Sequence, residues 1–166
     1  PYPFNEISDA RIQSEKLLAH LIRNTRTASL GTLHDEDPLV SMVAYVTVDD
    51  FCEFYIHVSR LAQHTMDMQK DKRMCLLITE TDDGRTDPQT LARVSIRGTA
   101  VLMENGEPGY ARIKNLYIER FPESGPLFKL EDFGLWRIKP KGGRFIAGLA
   151  KAYNITLETL QKASQR

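Results

Sequence analysis

One stretch of the chain changes its hydrophobic period in the middle, and this change restricts the fold more than any other feature. Residues 54–71 read FYIHVSRLAQHTMDMQKD. The alternation that ends at Val58 predicts a strand, and the spacing of Leu61, Met66 and Met68 predicts a helix directly after it. The sequence therefore predicts a fold in which a strand passes through a short turn into a helix.

The turn between this strand and this helix is a candidate anion site. It carries Ser59 and Arg60, and His64 follows about one helical turn later. Free N–H groups at a helix start, together with a hydroxyl and a guanidinium, can bind an anion. The alternative is that Ser59 is an ordinary helix cap, Arg60 a solvated charge and His64 a surface residue. Taken alone, these residues favour the alternative.

Composition limits the class of protein. The chain has 166 residues, of which 42% are hydrophobic and 27% charged, and these are values typical of one globular domain. The 22 basic and 22 acidic side chains balance, so the chain has no overall field for nucleic acid or an acidic membrane. No apolar run approaches the ~20 residues of a membrane span, and no signal peptide is visible. We therefore expect a single cytoplasmic domain without nucleic-acid or membrane partners.

The order of the predicted elements indicates the fold class. Residues 1–7 predict an extended arm, and Ser8 then caps a helix that ends near Asn24. Six strands follow, and RFIAGLAKAY predicts a further strand or a strand-to-helix transition. One helix separates the third and fourth strands, another separates the fifth and sixth, and a terminal helix capped by Thr156 occupies residues 156–166. We therefore expect an α+β fold, a mostly antiparallel barrel of six to seven strands with flanking helices.

The second strand carries apolar residues on both of its faces. Val40, Met42 and Val46 belong to one face, and Ser41, Val43 and Tyr45 belong to the other. Because the second face is half apolar, we expect both sides of this strand to be covered. The core covers one side, and a second subunit or a flat ligand covers the other.

The fifth strand, RVSIRGTAVLME, places Arg93 and Arg97 on its outer face. Two arginines on one strand face are costly to bury unpaired, so they meet solvent, carboxylates or a bound anion. A solvated face and a ligand contact are about equally compatible with this pattern. The strand alone therefore does not decide whether Arg93 belongs to a site.

Motifs of several common catalytic sites are missing from the sequence. There is no GxGxxG after a strand, no GxxxxGK(S/T), no HExxH and no GxSxG. The four histidines and two cysteines show no metal-ligand spacing. We therefore expect no metal site and no conventional triad, and the catalytic residues remain unassigned.

Several runs of the sequence resemble the pyridoxamine-5′-phosphate-oxidase-like FMN-binding split barrels. They are RTASLGTL, PLVSMVAYV, FYIHVSRLAQHTMDMQKDKRMCLLITE and LARVSIRGTA. Within this family the chain is most similar to the branch related to bacterial haem-utilisation oxygenases, whose glycine-rich ending GGRFIAGLAKAY matches. The resemblance covers about Ser8 to Tyr153 and implies an FMN-binding split barrel.

The resemblance also implies where a cofactor binds. In the family, basic and hydroxyl groups at the end of a barrel strand hold the FMN phosphate, and the isoalloxazine lies across a homodimer interface. By position, the implied cofactor-binding residues are Ser59, Arg60, His64, Ser41, Tyr45, His57, Arg93 and Arg144. Arg93 stands where the oxidases have a glutamine, which is a departure from their pattern. We therefore expect a homodimer with the ligand site at its interface.

Three functions are open at this point. The first is an FMN-binding oxidoreductase of unknown substrate, in which the flavin supplies the redox chemistry. The second is a haem-binding or haem-degrading protein on the same barrel. It ranks second because the resembling oxygenases use a further C-terminal domain for haem ligation, and this sequence ends at Arg166 after one short helix. The third is a non-enzymatic dimeric binding module, which Ser59, Arg60 and His64 argue against.

Overall fold

The computed structural model describes residues 4–149 and 151–166, and of residues 4–8 it describes the backbone alone. This part of the chain forms four α-helices and eight β-strands. In chain order they are α1 (Phe4–Asn24), β1 (Thr27–His34), β2 (Asp37–Ala44), β3 (Val46–Thr47), β4 (Phe54–Ser59), α2 (Gln63–Lys70), β5 (Arg73–Thr79), β6 (Arg93–Leu102), α3 (Tyr110–Arg120), β7 (Phe133–Ile146), β8 (Ala152–Ile155) and α4 (Leu157–Ser164). Two short 3-10 segments, Pro88–Thr90 and Pro122–Lys129, lie in the connections.

The strands form one antiparallel sheet in the order β2-β1-β5-β6-β7-β4-β3, and β8 pairs beside β7. Its two ends, β2 and β3, are separated in sequence by Tyr45 alone. One bent strand therefore pairs first with β1 and then with β4. This bend curls the sheet into a barrel. The predicted antiparallel split barrel with flanking helices is confirmed.

β4 is buried on both faces. Its first face enters the main core cluster through Phe54, Ile56 and Val58. On its second face, Tyr55 belongs to a smaller apolar cluster with Ile113 and Tyr117 of α3, and His57 is 8% exposed. The predicted alternation is present, and α3 with the segment after it covers the face that would otherwise meet solvent.

β2 differs from the prediction. Val40 and Met42 were expected to share an apolar face with Val46, but they are 69% and 72% exposed whereas Val46 is buried. The reason is the bend at Tyr45, where the strand leaves β1 and begins to pair with β4. Side chains before and after the bend therefore do not share one face. An apolar patch remains exposed on β2.

β7 is longer than predicted. It continues through Gly142 and Gly143 into the start of RFIAGLAKAY, which the sequence predicts as a separate element. A Cβ on Gly143 would collide with the carbonyl oxygen of Ser95, and a Cβ on Gly98 would collide with that of Lys139. Both glycines therefore permit the close approach of β6 and β7 around the irregularity at Gly98. The continuous strand then pairs with β8.

The last helix, α4, begins where the sequence predicts, whereas the first helix, α1, begins earlier than predicted. The cap of α4 is Thr156, whose side chain accepts a hydrogen bond from the N–H of Thr159. By contrast, α1 begins at Phe4, so Ser8 lies inside the helix and residues 4–7 of the expected arm are helical. Residues 1–3 of that arm lie outside the described residues. None of the described helices is long and apolar enough to cross a membrane.

Candidate functional site

A cleft of about 680 Å³ opens beside the C-terminal end of β4. β2, β4, the start of α2, the end of α3 and the segment Pro122–Lys129 form its walls. Most of the wall is apolar, with aromatic rings from Tyr117, Phe121 and Phe133. Polar side chains also line it, and those considered below are Arg26, His57, Ser59, His64 and Glu123. A concave, mostly apolar space with few polar groups is typical of a small-molecule site.

His57 lines this cleft, and one of its ring nitrogens is buried without a partner among the described residues. Its imidazole stacks on Phe128, with the centroids 3.7 Å apart and the planes 7° from parallel, and Tyr117 meets it edge-on at 5.8 Å. Nδ1 is buried and has no hydrogen-bond partner among the described residues. Burial, helped by the charge of Lys114, lowers the pKa of His57 to about 4. The imidazole is therefore neutral at pH 7.

His64 provides a second imidazole from the first turn of α2. Its Nε2 is also buried without a partner in the described part of the chain. Burial lowers the pKa of His64, and the nearby charge of Asp67 opposes this effect in part. Two imidazoles, each with one buried and unpartnered nitrogen, thus line the same cleft. A neutral imidazole nitrogen can bind a metal ion or accept a hydrogen bond.

A buried carboxylate fixes the helix that carries His64. Asp67 is fully buried and accepts hydrogen bonds from Thr32 Oγ1 at 3.1 Å, His34 Nδ1 at 2.8 Å and Gln63 Nε2 at 2.9 Å. Burial raises the pKa of Asp67, but the hydrogen bonds lower it more, so the net pKa is below its ordinary value. The network attaches α2 to β1 and thereby positions the start of α2 at the cleft.

Ser59 and Arg60 face different cavities. Ser59 lines the cleft, where its Oγ accepts a hydrogen bond from the N–H of Leu61 at 3.1 Å. Arg60 lines a separate cavity of about 270 Å³ on the other side of Phe133. Neighbouring side chains at the end of an extended strand point in opposite directions, which accounts for the separation. The turn is longer than expected, since α2 begins after Ala62 and has no side-chain cap.

Two further residues of the predicted site lie on β2 or at its end, outside the cleft lining. Tyr45 is completely buried in the core, and its hydroxyl donates a hydrogen bond to the carbonyl oxygen of Ile22 at 2.7 Å. Burial raises the pKa of Tyr45, with partial opposition from Arg120. Ser41 is half-buried and does not line the cleft. The core, not a ligand, therefore covers Tyr45.

The two remaining predicted arginines also lie away from the cleft. Arg93 is half-buried and donates hydrogen bonds to two backbone carbonyl oxygens of the preceding loop, at 2.9 and 3.0 Å. Arg144 is exposed on β7 and donates a hydrogen bond to Asn154 Oδ1 of β8 at 2.8 Å. Of the eight predicted residues, the structure brings His57, Ser59 and His64 together.

The sequence reasoning missed Arg26, which lines the cleft from the connection between α1 and β1. Its guanidinium lies 5.1 Å from the ring centroid of Phe121. No motif surrounds Arg26, and its role depends on a helix almost a hundred residues further along the chain. Tyr117 of α3 and Phe121, directly after α3, also line the cleft, and the sequence pattern gave no sign of this.

A curled antiparallel barrel with a cleft at the end of a central strand defines the class of split-barrel proteins. The family profile described as pyridoxamine 5′-phosphate oxidase matches residues 14–147. The chain belongs to this family. The resemblance recognised in the sequence is thereby confirmed.

Two characterised relatives are named as haem oxygenases. The chloroplastic non-canonical heme oxygenase HOZ of Arabidopsis thaliana is 33% identical over 98 residues, which are 58% of this chain and 28% of that protein. The chain thus spans less than a third of the plant relative. Heme oxygenase HutZ of Vibrio cholerae is 22% identical over 161 residues, 92% of this chain and 90% of that protein.

Solved structures agree with the fold. A heme binding protein from Mycobacterium smegmatis superposes with a TM-score of 0.79 at 21% identity, covering 90% of this chain and 60% of that one. A putative pyridoxamine 5′-phosphate oxidase from Listeria innocua superposes with a TM-score of 0.59 at 20% identity, covering 82% and 99%. At these identities the likeness shows the fold alone.

Proposed function

We propose that the chain binds haem in the cleft beside β4 and serves in haem utilisation. The observation that carries this proposal is an apolar cleft lined by His57, whose buried Nδ1 has no partner among the described residues. A buried polar atom without a partner is costly, so a ligand that satisfies it gains affinity. A neutral imidazole nitrogen is also a common ligand of haem iron.

The residues of the cleft fit a flat, largely apolar cofactor. Tyr117, Phe121 and Phe133 offer aromatic surface, and His57 and His64 would hold the iron. Haem, when bound, would supply the redox chemistry of its iron, and the protein would bind it, orient it and exclude water. The names of the two characterised relatives support haem over flavin, which reverses the order that the sequence suggested. Haem degradation is the activity that we propose to assay.

FMN is the second candidate ligand, because the chain belongs to the pyridoxamine 5′-phosphate oxidase family. Ser59 contributes a hydroxyl to the cleft, and α2 begins there without a side-chain cap. Free N–H groups at a helix start suit a phosphate. On this alternative the chain is a flavin-dependent oxidoreductase. Ser59 and the start of α2 would then bind the FMN phosphate, which the resemblance assigned to Ser59 and Arg60 together.

The visible spectrum of the purified protein tests the proposal. Addition of haemin to wild type should give a saturable Soret band at micromolar concentration, and His57→Leu should weaken binding about tenfold or more through loss of a ring nitrogen. The matched control is His20→Leu, because His20 is exposed on α1 and bonded to Asn24. The absence of any saturable Soret change in wild type would refute haem binding, and a parallel titration with FMN tests the alternative.

We further propose a homodimer in which the second copy covers β2 next to the cleft. Val40 and Met42 expose about 70% of their surface, and Met42 also lines the cleft. Leu61, which follows the end of β4, is 78% exposed. Exposed apolar side chains grouped in this way are typical of an interaction surface. A second copy at this place would put the ligand site at the interface, as the resemblance implies.

A further inference from the structure

We propose that Arg26 binds the anionic group of the cleft ligand and so selects ionised ligands over their neutral analogues. The anionic group is a carboxylate or a phosphate, since both accept hydrogen bonds from a planar guanidinium. This assignment rests on the proposed function, because it needs a ligand in the cleft. It differs from the sequence prediction, which assigned the anion to Ser59 and Arg60. It adds a guanidinium to the Ser59 hydroxyl and the start of α2, which the FMN alternative uses for the phosphate.

The position of Arg26 is fixed by its backbone. It lies between the end of α1 and the start of β1, and its carbonyl oxygen accepts a hydrogen bond from the N–H of Tyr45 at 3.3 Å. Tyr45 is the residue at which β2 bends into β3. Arg26 is therefore held against the wall of the cleft although its side chain is exposed.

A contact with an aromatic ring orients the guanidinium of Arg26, and no described protein group pairs with it. Its central carbon lies 5.1 Å from the ring centroid of Phe121, a cation–π contact that restrains the side chain. Within the described residues, its nitrogens form no hydrogen bond and no ion pair. Most N–H groups of the guanidinium are thus free to bind a ligand. A restrained cation loses less entropy when it binds an anion than a freely rotating one.

Other cations near the cleft are less suitable. Arg120 also lies near Phe121, at 5.9 Å, but it donates a hydrogen bond to a backbone carbonyl oxygen and lines a different cavity. Arg60 lines the small cavity beyond Phe133. Glu123 lines the cleft but does not pair with Arg26 among the described contacts. Among the described residues, Arg26 is the only Arg or Lys side chain that lines this cleft.

Two pairs of ligands that differ in their anionic groups provide the test. One pair is FMN and riboflavin, and the other is haemin and its dimethyl ester, with dissociation constants measured for wild type, Arg26→Ala and Arg26→Lys. We expect Arg26→Ala to weaken binding of the member with the anionic group about ten- to a hundredfold and binding of the member without it less than about threefold. Arg26→Lys should restore part of the loss. The matched control is Arg60→Ala, which should change neither member.

Each outcome has a defined meaning. Equal weakening of both members by Arg26→Ala, no weakening of either, or a charge-selective loss in Arg60→Ala would overturn the assignment. If wild type binds the flavin pair but not the haem pair, the haem proposal fails while FMN and riboflavin still test Arg26. If wild type binds none of the four ligands, both proposals are overturned. Unchanged melting temperatures of the variants show that a loss of binding is not a loss of fold.

Discussion

The protonation of His57 makes the stability of the fold depend on pH. Its pKa is about 4 in the folded chain against an ordinary value of 6.5. Between these two pH values the unfolded chain binds more protons, so stability rises with pH across this window and is lost as pH falls through it. We expect wild type to lose on the order of 2–3 kcal/mol between pH 6.5 and pH 4 from this residue. Urea unfolding at stepped pH measures the loss.

A variant that keeps the packing isolates this effect. His57→Phe retains an aromatic ring against Phe128 but cannot be protonated, so its unfolding free energy should vary less with pH in the same window. The control is His20→Phe, since His20 is exposed on α1. If His57→Phe shows the same slope as wild type, another group causes the pH dependence.

Asp67 makes the free energy of unfolding depend on pH in a more acidic range than His57 does. Because its pKa is lowered in the folded state, the stability that it contributes is present above its ordinary pKa of 3.8 and is lost as pH falls below it. At pH 7, Asp67→Asn should lower the free energy of unfolding by about 1.5–3 kcal/mol, because three hydrogen bonds lose a buried, charged acceptor. Denaturant titration at pH 7 measures this loss.

Asp35→Asn is the matched control for Asp67. Asp35 is exposed and pairs with Lys70 on the surface, and Asn tolerates its left-handed backbone. Surface pairs contribute about 0–1 kcal/mol, so this variant should remain close to wild type. If both variants lose the same free energy of unfolding, the contribution of Asp67 does not depend on burial of its hydrogen-bond network.

At the scale of elements, the glycines of β6 and β7 set how closely the two strands approach. Gly143→Ala places a methyl group against the carbonyl oxygen of Ser95, and this backbone atom cannot move aside alone. We expect a loss of about 1–3 kcal/mol in unfolding free energy and a melting temperature lower by several degrees. Gly125→Ala is the control, since nothing lies within 4 Å of the added Cβ. A stable Gly143→Ala variant would contradict the close approach.

The elements show how far the sequence predicts this fold and where it stops. Alternation and helical spacing predicted β4, α2 and the succession of strands and helices along the chain, because periodicity depends on burial of each segment. The bend at Tyr45 was not predictable, since it depends on β2 and β3 pairing with different strands. For the candidate site, the three predicted residues that line the cleft, His57, Ser59 and His64, all lie in one contiguous stretch. Arg26 was not predicted, because only tertiary packing brings it beside Phe121.

At the scale of the whole molecule, the exposed face of β2 predicts the state of assembly. We expect wild type to sediment as a dimer at micromolar concentration and Val40→Glu to sediment as a monomer, because a charge would be buried at the proposed interface. Leu149→Glu is the control, as Leu149 is 72% exposed beyond the end of β7. A monomeric wild type, or a Val40→Glu variant that remains dimeric, would rule out this interface.

The pairing of β4 with β7 has a consequence for the order of events during synthesis. Phe54 pairs with Ile138 and Ser59 with Phe133. β4, which borders the cleft, therefore cannot complete its pairing until a segment far along the chain has been synthesised. The β1–β2 hairpin can form early, whereas β4 keeps one open edge until β7 has left the ribosome. Nascent chains that stop before Phe133 should therefore bind no ligand and should depend on chaperones that cover exposed strands.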